Sequence, residues 1–562
     1  MIGLRALLAL GVLSAASAAP VAAFADGENA CGNITTGTLA IPGVEIAGAA
    51  EKDAADGLPR HCLVSGAVDK RVGADGRSYA IRFEMRLPDA WNGRFLHQVN
   101  GGNDGAVVPA LGDRPEGLIE GGVTPLAQGF AVLSSDSGHS GADPDNKPLG
   151  LAAGAAFGLD PQARRDYGYS ADIRLSPIAK AIIAARYGRK PDRSYMAGCS
   201  NGGRHTMVAA VRMPENYDGY LVGDPGFDLP RAAIQHAWDA QAFVKADSDI
   251  RKSITIEDAR LVSQKIVEAC DALDGAQDGL VSNLAACQKA FSFDSLTCRD
   301  GASGQCLPAA KVEALKASFA GPHDSKGAAL YADWPVDGGV GLGNWRMWKV
   351  ESPVAPWSHY PIIATMGAAS LEYIFTTPPT RVEGTNDALM RALLSFDFDR
   401  DAPKIFATAA PFTESAMDFM TPPGVDDPRL PAFRDGARKM ILYHGQADPV
   451  FSLNDMIRWY ERLDRNAQGK ARDFARLFAI PGYTHCGGGL ALEKFDALGA
   501  LVDWVEKGRA PERIVATVNP ANKEIPASWS ATRTRPLCPW PQFAKYNGGD
   551  VESAASFVCA AP

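Results

Sequence analysis

Over 79–87 (YAIRFEMRL) apolar and polar residues alternate as they do in a strand with one buried face. Further strands are expected at 94–99, 130–135, 193–197, 220–225, 439–443 and 474–480. Residues 26–100 read as β-rich as a whole. Helices are expected at 176–187, at 204–212, where Pro214 stops the pattern, and at 491–507, with Trp504 on the apolar stripe. Strands that alternate with helices imply an α/β fold with a mostly parallel sheet. That rhythm is lost over 227–425, which holds four cysteines, Trp345, Trp348 and Trp357, and loop-forming stretches such as Phe375-Thr376-Thr377-Pro378-Pro379. Because strands resume at Lys439, the expected organisation is a core made of 26–226 and 426–562, with 227–425 inserted as a lid. An independent third domain is the alternative. The tail from Pro511 reads as loop-rich.

A chain of 562 residues exceeds one ordinary core, in keeping with a core plus an insertion. The net charge of −9 argues against nucleic acid as a partner. Residues 1–25 read as a secretory leader: Arg5, an apolar run over 6–12, and small-x-small cleavage sites at Ala16-Ser17-Ala18 and Ala23-Phe24-Ala25, the second preferred. The run is too short to span a bilayer. The mature protein is therefore expected to be secreted or periplasmic, soluble, without a membrane anchor, and monomeric. Ten cysteines in an exported chain suggest disulfides, and no C-x-x-C pair points to a zinc ribbon or a redox motif. Pairing sequential neighbours gives Cys31–Cys62, Cys270–Cys287, Cys298–Cys306 and Cys538–Cys559. Cys199 and Cys486 are left over.

Those two flank the candidate chemistry. Gly198-Cys199-Ser200-Asn201-Gly202 stands between an expected strand and an expected helix, the setting of the nucleophile elbow in the α/β-hydrolase fold. The tight turn is expected to need glycine's backbone freedom. The N–H of Asn201 and the new helix's positive end would face an oxyanion. In a chain with 57 glycines the pentapeptide alone is weak. A serine nucleophile also needs a base, and the base an orienting carboxylate. Asp448 and His485 follow in the order Ser, Asp, His, each beyond an expected strand end. His444 ranks second as base. His139 is a further rival, and His205 is expected to pack on the elbow helix. The loop Asn100-Gly101-Gly102-Asn103-Asp104-Gly105 follows a strand upstream of the elbow, where this fold places a second oxyanion N–H; Gly101 and Gly102 are the candidates. If Ser200 and His485 touch, Cys199 and Cys486 must be close, and a disulfide there would tie nucleophile to base.

A second constellation lies in the insertion. Asp271, Asp274 and Asp278 repel one another unless a hard cation collects them. Gly275 and Gly279 let the chain curl, and the carbonyls of Ala276 and Leu280 would complete a structural calcium cage stapled by Cys270–Cys287. The spacing is not that of an EF-hand. The alternative is an acidic solvated turn.

Together these residues resemble the tannase/feruloyl esterase family, which includes bacterial mono-hydroxyethyl terephthalate (MHET) hydrolases. The resemblance rests on Cys199-Ser200 with Asp448 and His485-Cys486, on the Asp271-Ala272-Leu273-Asp274-Gly275-Ala276-Gln277-Asp278-Gly279 loop, and on five cysteine pairs. It covers nearly the whole mature chain. It implies a Ser200–His485–Asp448 triad with a Cys199–Cys486 disulfide. The oxyanion donors would be Asn201 and one of Gly101 and Gly102. The lid calcium would be held by Asp271, Asp274, Ala276, Asp278 and Leu280. The implied substrates are esters of aromatic acids: hydroxycinnamates, gallates or mono-hydroxyethyl terephthalate. The expected activity is that of a secreted serine esterase working through an acyl-enzyme. The competing readings are a lipase or peptidase, a calcium-stabilised binding protein without catalysis, and a calcium-dependent interaction module.

Overall fold

The computed structural model describes residues 30–113, 123–299 and 305–562; the leader expected at 1–25 lies outside them. Nine strands form one sheet, in the order β1-β2-β3-β5-β4-β6-β7-β8-β9. They are β1 (Val44–Lys52), β2 (His61–Val72), β3 (Ser78–Pro88), β4 (Arg94–Gln98), β5 (Ala131–Ser135), β6 (Arg193–Cys199), β7 (Gly219–Gly223), β8 (Lys439–Gly445) and β9 (Ala475–Ile480). β1, β2, β3 and β5 pair antiparallel in turn. From β5 through β9 every pairing is parallel.

β3 carries the alternation read from the sequence, with Ile81, Phe83, Met85 and Leu87 buried and Arg82, Glu84 and Arg86 half-exposed between them. β5 and β7 are buried at every position, as expected of strands covered on both faces. Successive residues feed opposite layers. Met196 joins the core packed by Leu175, Ile178 and Ile182 of helix α1 (Ala171–Tyr187) and by Met207 of helix α2 (Asn201–Arg212). Tyr195 and Ala197 join the core on the other face, with Leu498, Leu501 and Trp504. α1 begins five residues before the expected start, because Pro177 is tolerated inside the helix rather than opening it.

Two expectations for the C-terminal part change. The helix expected over 491–507 covers only Ala497–Lys507, because the Asp496 side chain accepts from the N–H of Gly499 and caps it there. Just before it, Lys494–Phe495 pairs with Ile514–Thr517. The tail, read as loop-rich, contains two small antiparallel sheets: Ile514–Thr517 with Thr534–Leu537, and Phe543–Tyr546 with Phe557–Ala560. Between β7 and β8 the chain runs through 224–438, with several helices and no named strand among the described residues. No helix is long and apolar enough to cross a membrane among the described residues.

The register decides where chain ends meet. Gln98 pairs with Ala197, Cys199 with Gly223, Gly223 with Tyr443, and Gly445 with Ile480. The C-terminal ends of β4, β6, β7, β8 and β9 therefore stand in a row. The strand order also reverses at β4, since β5 lies on one side of it and β6 on the other. Such a switch point opens a crevice beyond the strand ends.

Leu501 of the Ala497–Lys507 helix is fully buried against this sheet. Leu501→Ala is expected to lower unfolding stability by about 2–5 kcal/mol, because the helix cannot follow the lost volume inward. Denaturant titration checks this. A loss below about 1 kcal/mol would mean that the layer repacks freely.

Candidate active site

β6 ends at Cys199 and α2 begins at Asn201, so Ser200 alone makes the turn. It takes φ 64° and ψ −127°. The sequence reading placed the need for backbone freedom on the flanking glycines, but the serine itself bears the positive φ. Glycine is required at 198 and 202 for space. A Cβ on Gly198 would stand 2.6 Å from the Gly202 carbonyl carbon, and one on Gly202 would stand 2.5 Å from the Val99 carbonyl oxygen. The turn is held by hydrogen bonds from Ser200 N–H to Gly223 O (3.0 Å) and from Arg204 N–H to Ser200 O (3.0 Å).

Ser200, Asp448 and His485 are brought together. His485 Nε2 lies 2.8 Å from Ser200 Oγ, and His485 Nδ1 lies 2.9 Å from Asp448 Oδ2. The other Asp448 oxygen accepts from the N–H groups of Val450 (2.7 Å) and Phe451 (3.2 Å). Burial alone would raise the Asp448 carboxyl pKa. The charge of His485 and hydrogen bonds from His444 and His485 win, and hold it well below the usual carboxylate range. His444 is not at the serine: its Nε2 lies 2.9 Å from Phe451 O and 3.4 Å from Asp448 Oδ2. His205 is bonded to Asp172 (2.6 Å), and His139 lies under the glycine loop with Nε2 2.8 Å from Asn103 O.

Cys199 and Cys486 are joined across 287 residues, so the neighbours of Ser200 and His485 are covalently tied. The remaining pairs are Cys31–Cys62, Cys270–Cys287, Cys298–Cys306 and Cys538–Cys559. The chain after His485 turns through Cys486, Gly487, Gly488 and Gly489, all at positive φ, which accounts for the glycine run.

Asp224 was not singled out from sequence. It follows β7 as Ser200 follows β6, and that position was the available signal. Fully buried, it accepts from Gly445 N–H (2.7 Å) and Cys486 N–H (2.9 Å), joining the ends of β7 and β8 to the His485 loop. Burial, then the neighbouring charge of Asp448, pushes its pKa up to about 6. Asp224, His444 and Asp448 bring ligand-type atoms within 4.8 Å of one another. Backbone N–H groups and histidines already engage these carboxylates, so the cluster is closed without a metal.

Gly101 is exposed, and a Cβ there would stand 3.7 Å from Ser200 Cβ. Gly102 turns away at φ 63°, towards Met366 Sδ. The segment between β7 and β8 also reaches the site. Its helix α3 (Gly343–Lys349) sets Trp348 edge-to-face with His485 at 5.3 Å, and Asn344 Nδ2 donates to His485 O at 3.3 Å. Phe451 meets the same imidazole from another side at 5.4 Å. Asp337 accepts from Gly482 N–H and so braces the start of the histidine loop. Of the other tryptophans singled out, Trp345 is buried against Phe243, and Trp357 lies in a partly exposed turn.

The acidic loop packs against the tail. Asp271 Oδ1 accepts from the N–H groups of Asp278 and Gly279, both at 3.0 Å. Asp278 is paired with Arg535, and its carbonyl accepts from Arg533 (2.7 Å). Asp274 Oδ2 is buried without a hydrogen-bond partner. Burial, together with the charges of Asp278 and Asp271, pushes Asp274 up to about 6. An orphaned oxygen among mutually repelling carboxylates fits a hard cation.

With this geometry in view, the chain can be compared with known proteins. The family model described as tannase and feruloyl esterase matches residues 62–560. The mono(2-hydroxyethyl) terephthalate hydrolase of Piscinibacter sakaiensis is 42% identical over 540 residues, covering 90% of this chain and 85% of that protein. Feruloyl esterase B from Aspergillus oryzae superposes with a TM-score of 0.72 at 20% identity, over 94% of this chain and 99% of that one. The tannin acyl hydrolase from Aspergillus niger gives 0.63 at 20% identity, over 93% and 92%. Both structural likenesses show the α/β-hydrolase fold. The family match across 62–560 and the relative at 42% identity show that this chain belongs to the tannase and feruloyl esterase family and is a carboxylic ester hydrolase.

Proposed function

We propose that this chain is an exported serine esterase that cleaves esters of aromatic acids, with Ser200 as nucleophile, His485 as general base and Asp448 as the group that orients it. The observation that carries this reading is the unbroken path from Ser200 Oγ to His485 to Asp448, at 2.8 and 2.9 Å. Asp448 accepts a hydrogen bond from Nδ1–H, which keeps the proton on Nδ1 and leaves the Nε2 lone pair facing the hydroxyl.

Ser200 Oγ attacks the ester carbonyl carbon while its proton passes to His485 Nε2. The carbonyl oxygen becomes an oxyanion between the N–H groups of Asn201 and Gly101. Gly101 is chosen over Gly102 because it is the glycine beside Ser200. As the intermediate collapses, the C–O bond to the alcohol breaks and the alcohol takes the proton from Nε2. Water then gives a proton to Nε2 and attacks the acyl carbon; as this second intermediate collapses, the bond from the acyl carbon to Oγ breaks, Ser200 Oγ takes the proton back from Nε2, and the acid leaves. Trp348, Phe451 and Met366 would receive the acid's ring, and 227–425 would act as the lid that carries most of this pocket. The relatives named for terephthalate and feruloyl esters support the aromatic acid side.

The test is product release from methyl ferulate, methyl gallate, mono-hydroxyethyl terephthalate and an alkyl acetate, with wild type beside Ser200→Ala. At least one aromatic ester is expected to be cleaved, and Ser200→Ala to lose about 10⁴-fold or more in kcat. Equal turnover by both proteins would overturn the assignment.

The Cys199–Cys486 bond constrains the unfolded chain and the triad together. Replacing both cysteines by alanine is expected to cost about 2–5 kcal/mol. Activity should fall at temperatures where circular dichroism still reports a folded protein. Full activity up to the melting point would refute a positioning effect.

Asp271, Asp274 and Asp278, with the carbonyls of Ala276 and Leu280, would hold a structural calcium ion that offsets their repulsion. Chelation is expected to lower stability, and calcium at about 100 times its Kd to restore about 2.7 kcal/mol. Asp274→Asn should abolish that increment. Identical melting with and without calcium would reject the site.

A further inference from the structure

The side chain after the nucleophile has no part in an oxyanion hole built from backbone N–H groups, yet Asn201 is buried and bonded at both its amide nitrogen and its amide oxygen. Its Nδ2 donates to Asp104 Oδ1 at 2.7 Å, and its Oδ1 accepts from Arg204 Nε at 2.5 Å. Asp104 belongs to the glycine loop after β4. Its side chain is almost completely buried, and its backbone adopts φ 46°. Its N–H closes a turn onto Gly101 O at 3.1 Å, so the placement of Gly101 follows that of Asp104. The second Asp104 oxygen accepts from the Ser137 hydroxyl and faces His205 Nε2 at 3.5 Å.

We propose that Asn201 and Asp104 form a clamp that fixes the spacing of the two oxyanion donors, the N–H groups of Asn201 and Gly101. This rests on the reading of Ser200 as nucleophile. The donors sit on different elements, one opening α2 and the other following β4. The last ladder bond between β4 and β6 is Val99 N–H to Ala197 O, at 3.0 Å. Beyond it the sheet no longer sets the distance, and side chains must.

A planar amide suits this place. It offers a donor to the Asp104 carboxylate and an acceptor to the Arg204 guanidinium at once, coupling two buried opposite charges through one group. Arg204 also donates to Gly168 O (2.7 Å) and Tyr167 O (2.8 Å), and the Tyr167 hydroxyl donates to Gly102 O (3.1 Å). The loop is thus braced from the helix by two routes. Asp104 acts through the loop, so it and the Asn201 side chain are positioning groups. An error on the order of 1 Å in such a donor is enough to cost up to about 100-fold in rate.

The test is steady-state kinetics of Asn201→Ala and Asn201→Asp on an aromatic ester that wild type cleaves. It is paired with inhibition by benzeneboronic acid, whose adduct on Ser200 is tetrahedral, and by benzamide, which carries the ring and a neutral trigonal carbonyl but no oxyanion. Asn201→Asp keeps the shape and the acceptor for Arg204 but sets a second carboxylate against Asp104 in place of the donor, so repulsion opens the clamp if the alanine variant folds poorly. Both variants are expected to lose about 10- to 100-fold in kcat with KM changed less than about twofold. Boronate affinity should fall by the same factor as kcat/KM while affinity for benzamide holds within about twofold. Asp104→Asn, which tolerates the same backbone and keeps a carbonyl acceptor, should retain most of the kcat that Asp104→Ala loses. The clamp is overturned if folded Asn201→Ala and Asn201→Asp both keep wild-type kcat, or if boronate and benzamide weaken equally. Activity in Ser200→Ala would instead overturn the reading beneath it.

Discussion

A serine held at φ 64° and ψ −127° is the constraint on which the site depends. Such a backbone costs about 1–3 kcal/mol for a residue with a side chain, and persists only where its surroundings over-determine it. Here they do. The Ser200 N–H is held by β7, its carbonyl is held from α2, and Cys199 beside it is bonded to the loop that carries His485. Gly198 and Gly202 let strand, loop and helix approach closely enough to close that cage. The strain lifts the hydroxyl clear of the sheet, where His485 meets it.

The second requirement is electrostatic. Three carboxylates, Asp224, Asp448 and Asp104, are buried within the same end of the sheet. Each is answered by specific donors. Asp448 has His485 and two backbone N–H groups, Asp224 has Gly445 and Cys486, and Asp104 has Asn201 and Ser137. Unmatched, any of them would cost several kcal/mol and would shed its charge. Matched, they fix three loops that leave the sheet from different strands. The long segment between β7 and β8 adds Trp348, Asn344 and Asp337 to the same histidine loop, so core and insertion share one site.

Much of this was legible in the chain. Central strands reveal themselves as short apolar runs, and the half-buried β3 by alternation. The meeting of Ser200, Asp448 and His485 was readable because each follows a strand end, and the two cysteines left over by neighbour pairing sat beside Ser200 and His485. The helix over Ala497–Lys507 was overextended because Ala491 and Leu492 are apolar for another reason: they pack in the core with Tyr483 of the histidine loop. The tail strands escaped notice because their partners lie up to some tens of residues away, and pairing is a property of register rather than of local pattern.

The sequence by itself determined the class of fold, the turn at Ser200 and which three residues, Ser200, Asp448 and His485, would meet there, since periodicity, turn chemistry and order along the chain are local properties. Only the tertiary structure decided which residue bears the strain, that His444 and His205 are spoken for by other partners, that Asp224 joins three loops, and that Asn201 reaches Asp104. Those facts depend on the parallel register that sets five strand ends side by side. Contacts between residues tens to hundreds of positions apart leave no periodic trace in the chain that makes them.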